Sequence, residues 1–151
     1  MAVYTQSLAG IGLGTTLSIG SASSPVTYTL VGELKSLNLT GRVAGTEDVT
    51  NFQSVAREFI PTLIDNGTWD FTGNRIGGDV GQQAMETAFT GLALLPFKVQ
   101  FVKTAGQTAV GDSFSFNALV LEIDYAVAVD KAVTMSGRLK ASGVMTKTQG
   151  S

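Results

Sequence analysis

The segment "IPTLIDNGTWDFTGN", residues 60–74, decides the fold of this chain. It contains two runs typical of β-strands, and the turn residues 65–67 separate them. An Asn-Gly pair between two such runs predicts a β-hairpin, because a type I′ turn requires positive φ at both central residues. Pro61 cannot donate to a sheet ladder, so the first strand is predicted to lie at an edge or a bulge. Trp69, the only tryptophan, is predicted to anchor the second strand in the core.

Alternating apolar residues predict further strands on both sides of this segment. Within the longest of them the apolar phase switches from even to odd positions, which predicts a bulge or burial on both faces. The chain is therefore expected to be mainly β. The predicted strands are residues 16–19, 26–31, 34–39, 97–103, 113–127 and 132–140.

One helix is predicted, over residues 79–93. Asp79 can cap it, and Gln82 three residues later completes a capping box. An apolar stripe follows the helical period, and a polar face lies opposite to it. The stripe consists of Ala84, Met85, Ala88, Phe89 and Leu92, and the polar face of Gln82, Gln83, Glu86, Thr87 and Thr90.

Three segments lack either period, and no composition typical of a linker divides the chain, so residues 1–151 are interpreted as a single domain. The glycine-dotted residues 1–15 are interpreted as an arm. Residues 40–56 are predicted to form a long loop, well beyond the usual connection of about 2–6 residues. Residues 141–151 are predicted to be a loose tail.

The composition excludes several classes of function. The chain has no cysteine and no histidine, which removes structural zinc, thiol catalysis and imidazole base chemistry. Ten basic and twelve acidic residues give a net charge of −2, which disfavours tight binding of nucleic acid. Only 15% of the residues are charged, against about 25% in an average domain. Such a neutral surface fits a protein that partners cover.

No catalytic or cofactor site is predicted. The segment "GIGLG" at 10–14 lacks the third glycine of a dinucleotide loop, since position 15 is threonine and position 17 is leucine. Two carboxylate pairs, Glu47–Asp48 and Glu122–Asp124, are interpreted as solvated rather than as metal ligands or an acid/base pair. No signal peptide and no apolar run long enough to span a membrane is expected.

The order of segments along the chain resembles the tail tube (major tail) proteins of long non-contractile bacteriophage tails, the lambda-like tail tube family. The resemblance rests on that order rather than on any single motif, and Thr62 departs from it where family members often have glycine. The segments are "GTTLSIG" (14–20), "YTLVGELKSLNLTG" (28–41), "EDVTNF" (47–52), "REFIPTLIDNGTWDFTGN" (57–74), "GQQAMETAF" (81–89), "FKVQF" (97–101) and "FSFNALVLEIDYAVAVDKAVTMSGRLKASG" (114–143).

The resemblance implies a β-sandwich or small barrel with one flanking helix and extended termini. It implies that six copies form a ring and that stacked rings form a tube through which DNA leaves the virion. It also implies an inter-ring role for the long loop, with initiator and terminator proteins at the tube ends. The expected inter-ring residues are Thr46, Glu47, Asp48, Val49, Thr50, Asn51 and Phe52.

Glu122 and Asp124 are interpreted as residues of the channel wall. With a net charge of −2 on every copy, that wall is expected to repel DNA. No cofactor and no membrane partner are expected. The protein would be made in the host cytoplasm and would reside in the virion tail.

Other functions remain open on the sequence. One is a tube ring of a contractile-injection or secretion system, which shares the same fold and ring assembly. Another is a monomeric β-barrel that binds a small ligand in an apolar cavity. A third is a minor virion component, such as a tail terminator or a head-completion protein.

Overall fold

The computed structural model describes residues 12–151, so most of the predicted arm, residues 1–15, lies outside the described residues. The fold is mainly β with one helix in the described part, as predicted. In chain order the elements are β1 (Thr16–Gly20), β2 (Tyr28–Val31), β3 (Leu34–Thr40), β4 (Val43–Asp48), β5 (Phe59–Asp65), β6 (Thr68–Asn74), α1 (Val80–Thr90), β7 (Leu94–Gln100), β8 (Ser113–Ala126) and β9 (Thr134–Thr148).

Seven strands form one antiparallel sheet in the order β2-β1-β7-β8-β9-β6-β3. Its two edge strands, β2 and β3, are consecutive in the chain, and only Gly32 and Glu33 separate them. Because consecutive Cα atoms are about 3.8 Å apart, this short link holds the two edges close together. The sheet therefore curls into an open barrel, and the predicted mainly β class is confirmed. We call the link at residues 32–33 the seam.

The inner face of the curled sheet forms the core. Trp69, Phe97 and Phe116 stack there with ring centroids 5.7 and 6.0 Å apart, and each is at most 4% exposed. Trp69 thus anchors β6 in the core, as predicted. The other buried apolar residues are Leu17, Ile19, Val31, Phe71, Met85, Ala88, Val99, Ala118, Val120, Met135, Leu139, Ala141 and Met145.

The N-terminus of α1 holds the seam. Asp79 caps the helix, and its carboxylate accepts from the backbone N–H groups of Gln82 at 2.9 Å and Gly32 at 3.1 Å. Gln82 is fully buried, so its expected place on the polar face is wrong. Its side-chain amide donates to the carbonyls of Gly32 at 3.0 Å and Asn74 at 2.8 Å, and accepts from Ile76 N–H at 2.9 Å. Only half of the capping box forms, because Gln82 bonds to the seam and to the end of β6.

The helix is shorter than predicted. It ends at Thr90, and Leu92 beyond it has a φ of 51°, which turns the chain toward β7. Of the predicted stripe, Met85 and Ala88 are buried, whereas Phe89 and Leu92 are 38% and 79% exposed. The buried stripe is narrow because α1 packs mainly on β1, β2 and β8.

The predicted hairpin across Asn66-Gly67 is wrong, and so is the predicted loop over residues 40–56. That loop contains β4, which pairs with β5 in a separate two-stranded sheet. Both edges of β6 are occupied by strands distant in sequence, β3 and β9. Gly67 does adopt a positive φ of 81°, and Asn66 donates to the Gly143 carbonyl at 2.6 Å. The pair therefore passes the chain from one sheet to the other.

The predicted loose tail, residues 141–151, is also wrong. Strand β9 runs to Thr148 and pairs there with Ser113 of β8. A register shift interrupts the alternation of side chains near Gly143, which has a φ of 80°, so the strand shows no period in the sequence. Beyond the strand, Gly150 N–H donates to Asp112 at 2.8 Å and lowers the pKa of that carboxyl.

The longest predicted strand is β8, and of the two explanations for its switch of apolar phase the bulge is present. Strand β8 changes register against β9 between Ser115 and Asn117, and again between Val120 and Glu122. The second shift places Val120 in the core and Glu122 on the opposite face of the sheet. This explains the switch of apolar phase in the sequence.

Replacing Gly137 with alanine is expected to lower the free energy of unfolding by about 1–3 kcal/mol through overpacking. A Cβ at this position of β9 would meet the Phe71 ring at 2.7 Å and the Glu122 carbonyl. Urea unfolding followed by tryptophan fluorescence measures the change. The matched control is Gly78→Ala, because nothing lies within 4 Å of a Cβ there. Equal stability of the two variants would contradict the close packing of β9 against Phe71.

Candidate functional surfaces

Strands β4 and β5 form a hairpin that projects from the barrel, and we call residues 43–65 the projecting hairpin. All seven residues of β5 are exposed. The hairpin contacts the barrel mainly where β5 approaches β9, and Lys140 Nζ lies 2.7 Å from Asp65 Oδ1 at its base. Its exposed large apolar residues are Val43, Val49, Phe52, Val55, Phe59, Ile60, Leu63 and Ile64.

The predicted inter-ring residues lie on this hairpin. Residues 46–48 end β4, residues 49–52 belong to its tip, and all seven are exposed. Hydrogen bonds within the tip give it a defined backbone. Asp48 Oδ1 accepts from Thr50 N–H at 2.9 Å, and Thr50 Oγ1 accepts from Glu58 N–H at 2.9 Å. The bonds from Thr50 lower the pKa of Asp48.

The projecting hairpin has an open edge. Among the described strands β5 pairs only with β4, and a register shift between Ala44 and Thr46 lies beside Pro61. The prediction that the strand with Pro61 lies at an edge or a bulge is thus confirmed, and both features are present. A two-stranded sheet is at best marginally stable in water, and an apolar edge invites pairing with another chain. Exposed apolar surfaces of this kind are typical of sites that bind another protein, a membrane or a ligand.

The face of the curled sheet that points away from the core is polar, and we call it the outer face. Glu122 and Asp124 both lie on it and are exposed, because the bulge in β8 turns them away from the core. The other charged residues of the outer face are Asp70, Lys98, Arg138 and Lys140. Uncharged polar residues fill most of the remainder: Thr16, Ser18, Ser36, Asn38, Thr40, Thr68, Thr72, Ser115, Asn117 and Ser136.

Cross-strand ion pairs link several of these charges. Arg138 on β9 lies between Asp70 on β6 and Glu122 on β8. Its Nε is 2.9 Å from Asp70 Oδ1, and its Nη1 is 3.9 Å from Glu122 Oε2. The bond to Asp70 raises the pKa of Arg138, whereas the neighbouring Asp124 carboxylate raises the pKa of Glu122.

Acidic and basic side chains balance on the outer face, so the net charge of the whole chain does not carry over to it. Glu122 and Asp124 were expected at this surface from the sequence, whereas Asp70, Arg138 and Lys140 were not. Alternation along each strand indicates which of these side chains lie on the same side of the sheet. Their pairing depends on the register between strands that are distant in sequence.

Neither a metal site nor a membrane-spanning helix is found in the part of the chain that the structure describes. No cluster of three or more acidic side chains in residues 12–151 is arranged to hold a metal ion. The described helix is too short and too polar to cross a bilayer.

The alternative of a ligand-binding barrel requires an enclosed apolar cavity. The stacked aromatic rings of Trp69, Phe97 and Phe116 fill the space between β6, β7 and β8. A cavity of about 510 Å³ lies instead between the start of β1 and β3, and it opens to the surface. Lys35, Ser36 and Asn38 make one wall of it polar. The rest of its lining is largely apolar and includes Leu13, Leu17, Leu34, Leu37 and Phe101. The cavity is therefore open and mixed in character rather than enclosed and apolar.

No protein-family model matches the chain, and no curated protein is significantly similar to it in sequence. Solved structures share its fold. A chain from the tail of an empty GTA particle, refined with C6 symmetry, has a TM-score of 0.71 at 16% identity, covering 93% of this chain and 99% of that one. A chain of the SPP1 tail tube has a TM-score of 0.67 at 21% identity, covering 93% and 79%.

A chain of the sheath-tube complex of an extracellular contractile injection system, PVC, has a TM-score of 0.65 at 8% identity, covering 89% and 88%. At these identities the likenesses establish the fold. The chain has the tail tube fold, and the predicted fold class is confirmed.

Proposed function

We propose that this protein is a structural subunit that assembles with copies of itself into stacked hexameric rings, which form a phage tail tube for the passage of DNA. The observation that carries the proposal is an apolar hairpin, exposed over the whole of β5, on a chain with the tail tube fold. Such a surface makes a free monomer prone to aggregation, and binding of a second copy would bury it.

Ring formation is supported by the open edges of the molecule. Among the described strands, β5 pairs on one side only, and β2 and β3 each have a single neighbour in the curled sheet. Copies placed around an axis would cover such edges, and a closed ring leaves none of them exposed. Six copies are proposed because the GTA tail with a similar fold was refined with C6 symmetry.

Contacts between rings are assigned to the tip of the projecting hairpin. Residues 46–52 are exposed there, and Phe52 projects fully into solvent. The hydrogen bonds within the tip hold its backbone in one shape before contact, so less conformational entropy is lost on binding. Initiator and terminator proteins would cover the hairpins and edges left open at the two tube ends.

The channel wall is assigned to the outer face, including Glu122 and Asp124. This face combines hydroxyl and amide side chains with balanced charge, so a polyanion meets little net attraction. The chain would carry out no catalysis. It would be made in the host cytoplasm and would reside in the tail of the virion.

A tube ring of a contractile injection system is the second candidate, because a chain of the PVC sheath-tube complex has a similar fold. The two candidates differ in whether a sheath surrounds the tube. Electron microscopy of particles that contain this protein separates them by the presence of that second layer.

Negative-stain microscopy of the concentrated protein tests assembly directly. We expect rings or tubes of uniform diameter with six-fold end views, together with fast-sedimenting species. The fraction of assembled protein should rise steeply with concentration, since each ring requires several copies. A strict monomer at every concentration and ionic strength, with and without a preformed tail tip, would contradict the proposal.

A further inference from the structure

The ion pairs on the outer face have a consequence for nucleic acid. We infer that Asp70, with Glu122, occupies the guanidinium of Arg138 and thereby keeps the outer face from binding DNA phosphates. Asp70 is therefore a residue that determines how weakly the wall holds DNA. This inference rests on the proposed function, in which DNA passes the outer face.

The geometry around Arg138 carries the inference. Arginine binds phosphate through parallel N–H groups, as it does carboxylate. Here Nε lies 2.9 Å from Asp70 and Nη1 lies 3.9 Å from Glu122, so carboxylates on both neighbouring strands face the donors. A phosphate would have to displace them. The arginine is half exposed, which places it within reach of solvent and of a passing ligand.

Lys140, on the same strand as Arg138, is also paired with a carboxylate. Its ammonium group lies 2.7 Å from Asp65, and this bond lowers the pKa of Asp65 and keeps it charged. Lys98, in contrast, has no ion pair among the described residues. Two of the three cations of the outer face are thus held by carboxylates.

Folding alone does not account for these pairs. Exposed ion pairs contribute little to stability, because water screens them and ordering two long side chains costs entropy. Their effect on a polyanion is larger, since DNA carries one charge per ~1.7 Å and each freed cation adds an attraction. In a six-fold ring every freed arginine would be repeated around the channel.

The test compares two substitutions that change the net charge equally. Asp70→Asn frees Arg138, whereas Asp130→Asn removes an exposed carboxylate from the turn between β8 and β9. A short fluorescein-labelled DNA duplex serves as the probe, and anisotropy gives its affinity for the free chain at several salt concentrations. Pelleting with assembled tubes gives the affinity of the wall.

We expect Asp70→Asn to bind the duplex on the order of tenfold more tightly than wild type at low salt, with a salt slope steeper by about 0.9 for each added phosphate contact. Asp130→Asn should stay close to wild type. Adding Arg138→Gln to Asp70→Asn should abolish the gain. Glu122→Gln is a second way to free the arginine, and circular dichroism confirms folding of each variant.

Equal affinities of Asp70→Asn and Asp130→Asn would overturn the inference, as would wild-type protein that already binds DNA as tightly as Asp70→Asn. The proposed function fails separately. If no tubes form but Asp70→Asn gains DNA affinity, the masking of Arg138 stands without the tube. If tubes form and the gain is absent, the tube stands without the masking.

Discussion

Replacing Leu63 with glutamate is expected to abolish assembly into rings and tubes while the monomer stays folded. Leu63 lies in the middle of β5 and is 89% exposed, so it contributes little to the stability of the monomer. In the proposed assembly a neighbouring copy covers it. Burying a leucine side chain is worth about 1.5–3 kcal/mol, and an unpaired buried carboxylate costs several kcal/mol more. Since 1.4 kcal/mol is tenfold in affinity, each contact weakens by about a thousandfold or more.

Sedimentation velocity and negative-stain microscopy measure the loss, and thermal unfolding followed by circular dichroism checks the fold. The matched control is Leu92→Glu, because Leu92 is similarly exposed and lies beyond the helix, away from the projecting hairpin. We expect this variant to form tubes. If the Leu63 variant formed tubes at the same concentration as wild type, the hairpin would not be part of the interface. If both variants lost assembly equally, the cause would be the added charge.

Local signals in the sequence predicted individual elements well. Alternation of apolar residues placed six strands near their observed positions, and Asp79 marked the start of the helix. Pro61 correctly indicated an edge or a bulge. These features depend on backbone chemistry within a few residues, which the sequence contains directly.

Pairing between strands was not predictable in the same way. The Asn66-Gly67 pair satisfies the chemistry of a tight turn, and Gly67 has the positive φ that the turn requires. Nothing within residues 60–74 reveals that β6 already has partners on both edges, β3 and β9. Residues 40–56 also look irregular because β4 is exposed on both faces and shows no alternation. In both cases the strand pairs with residues outside the segment, and the sequence of the segment alone does not show that pairing.

The outer face was predictable only in part. Alternation placed Glu122 and Asp124 on one side of β8, and the structure keeps them there. Their neighbours across the sheet depend on two register shifts in β8, which no local pattern specifies. The partnership of Arg138 with Asp70 therefore emerges only from the folded sheet.

The helical period assigned Gln82 to the exposed polar face, whereas the structure buries it completely. A glutamine in an amphipathic pattern is assigned to the polar face, because its side chain carries an amide. Here three backbone groups, from the seam, from the end of β6 and from Ile76, surround that amide and satisfy it. Burial of a polar group becomes tolerable once it is fully hydrogen-bonded. The side chain thereby joins the seam and the end of β6 to the helix.

Replacing Gln82 with leucine is accordingly expected to lower the free energy of unfolding by about 1.5–4.5 kcal/mol, since the substitution removes three hydrogen bonds to part-buried backbone groups, each worth about 0.5–1.5 kcal/mol. Leucine nearly conserves the volume, so the loss reports hydrogen bonds rather than a cavity. A domain is stable by only about 5–15 kcal/mol, so this loss is a large share of the total.

Urea unfolding measures the change, and amide exchange at Gly32 and Asn74 locates it at the seam. Gln83→Leu is the matched control, because Gln83 is exposed and donates a single bond to Gly77. That variant should lose less than about 1 kcal/mol. Similar losses in the two variants would mean that the seam is held by the two-residue link alone, and that the buried amide has no special part in closing the sheet.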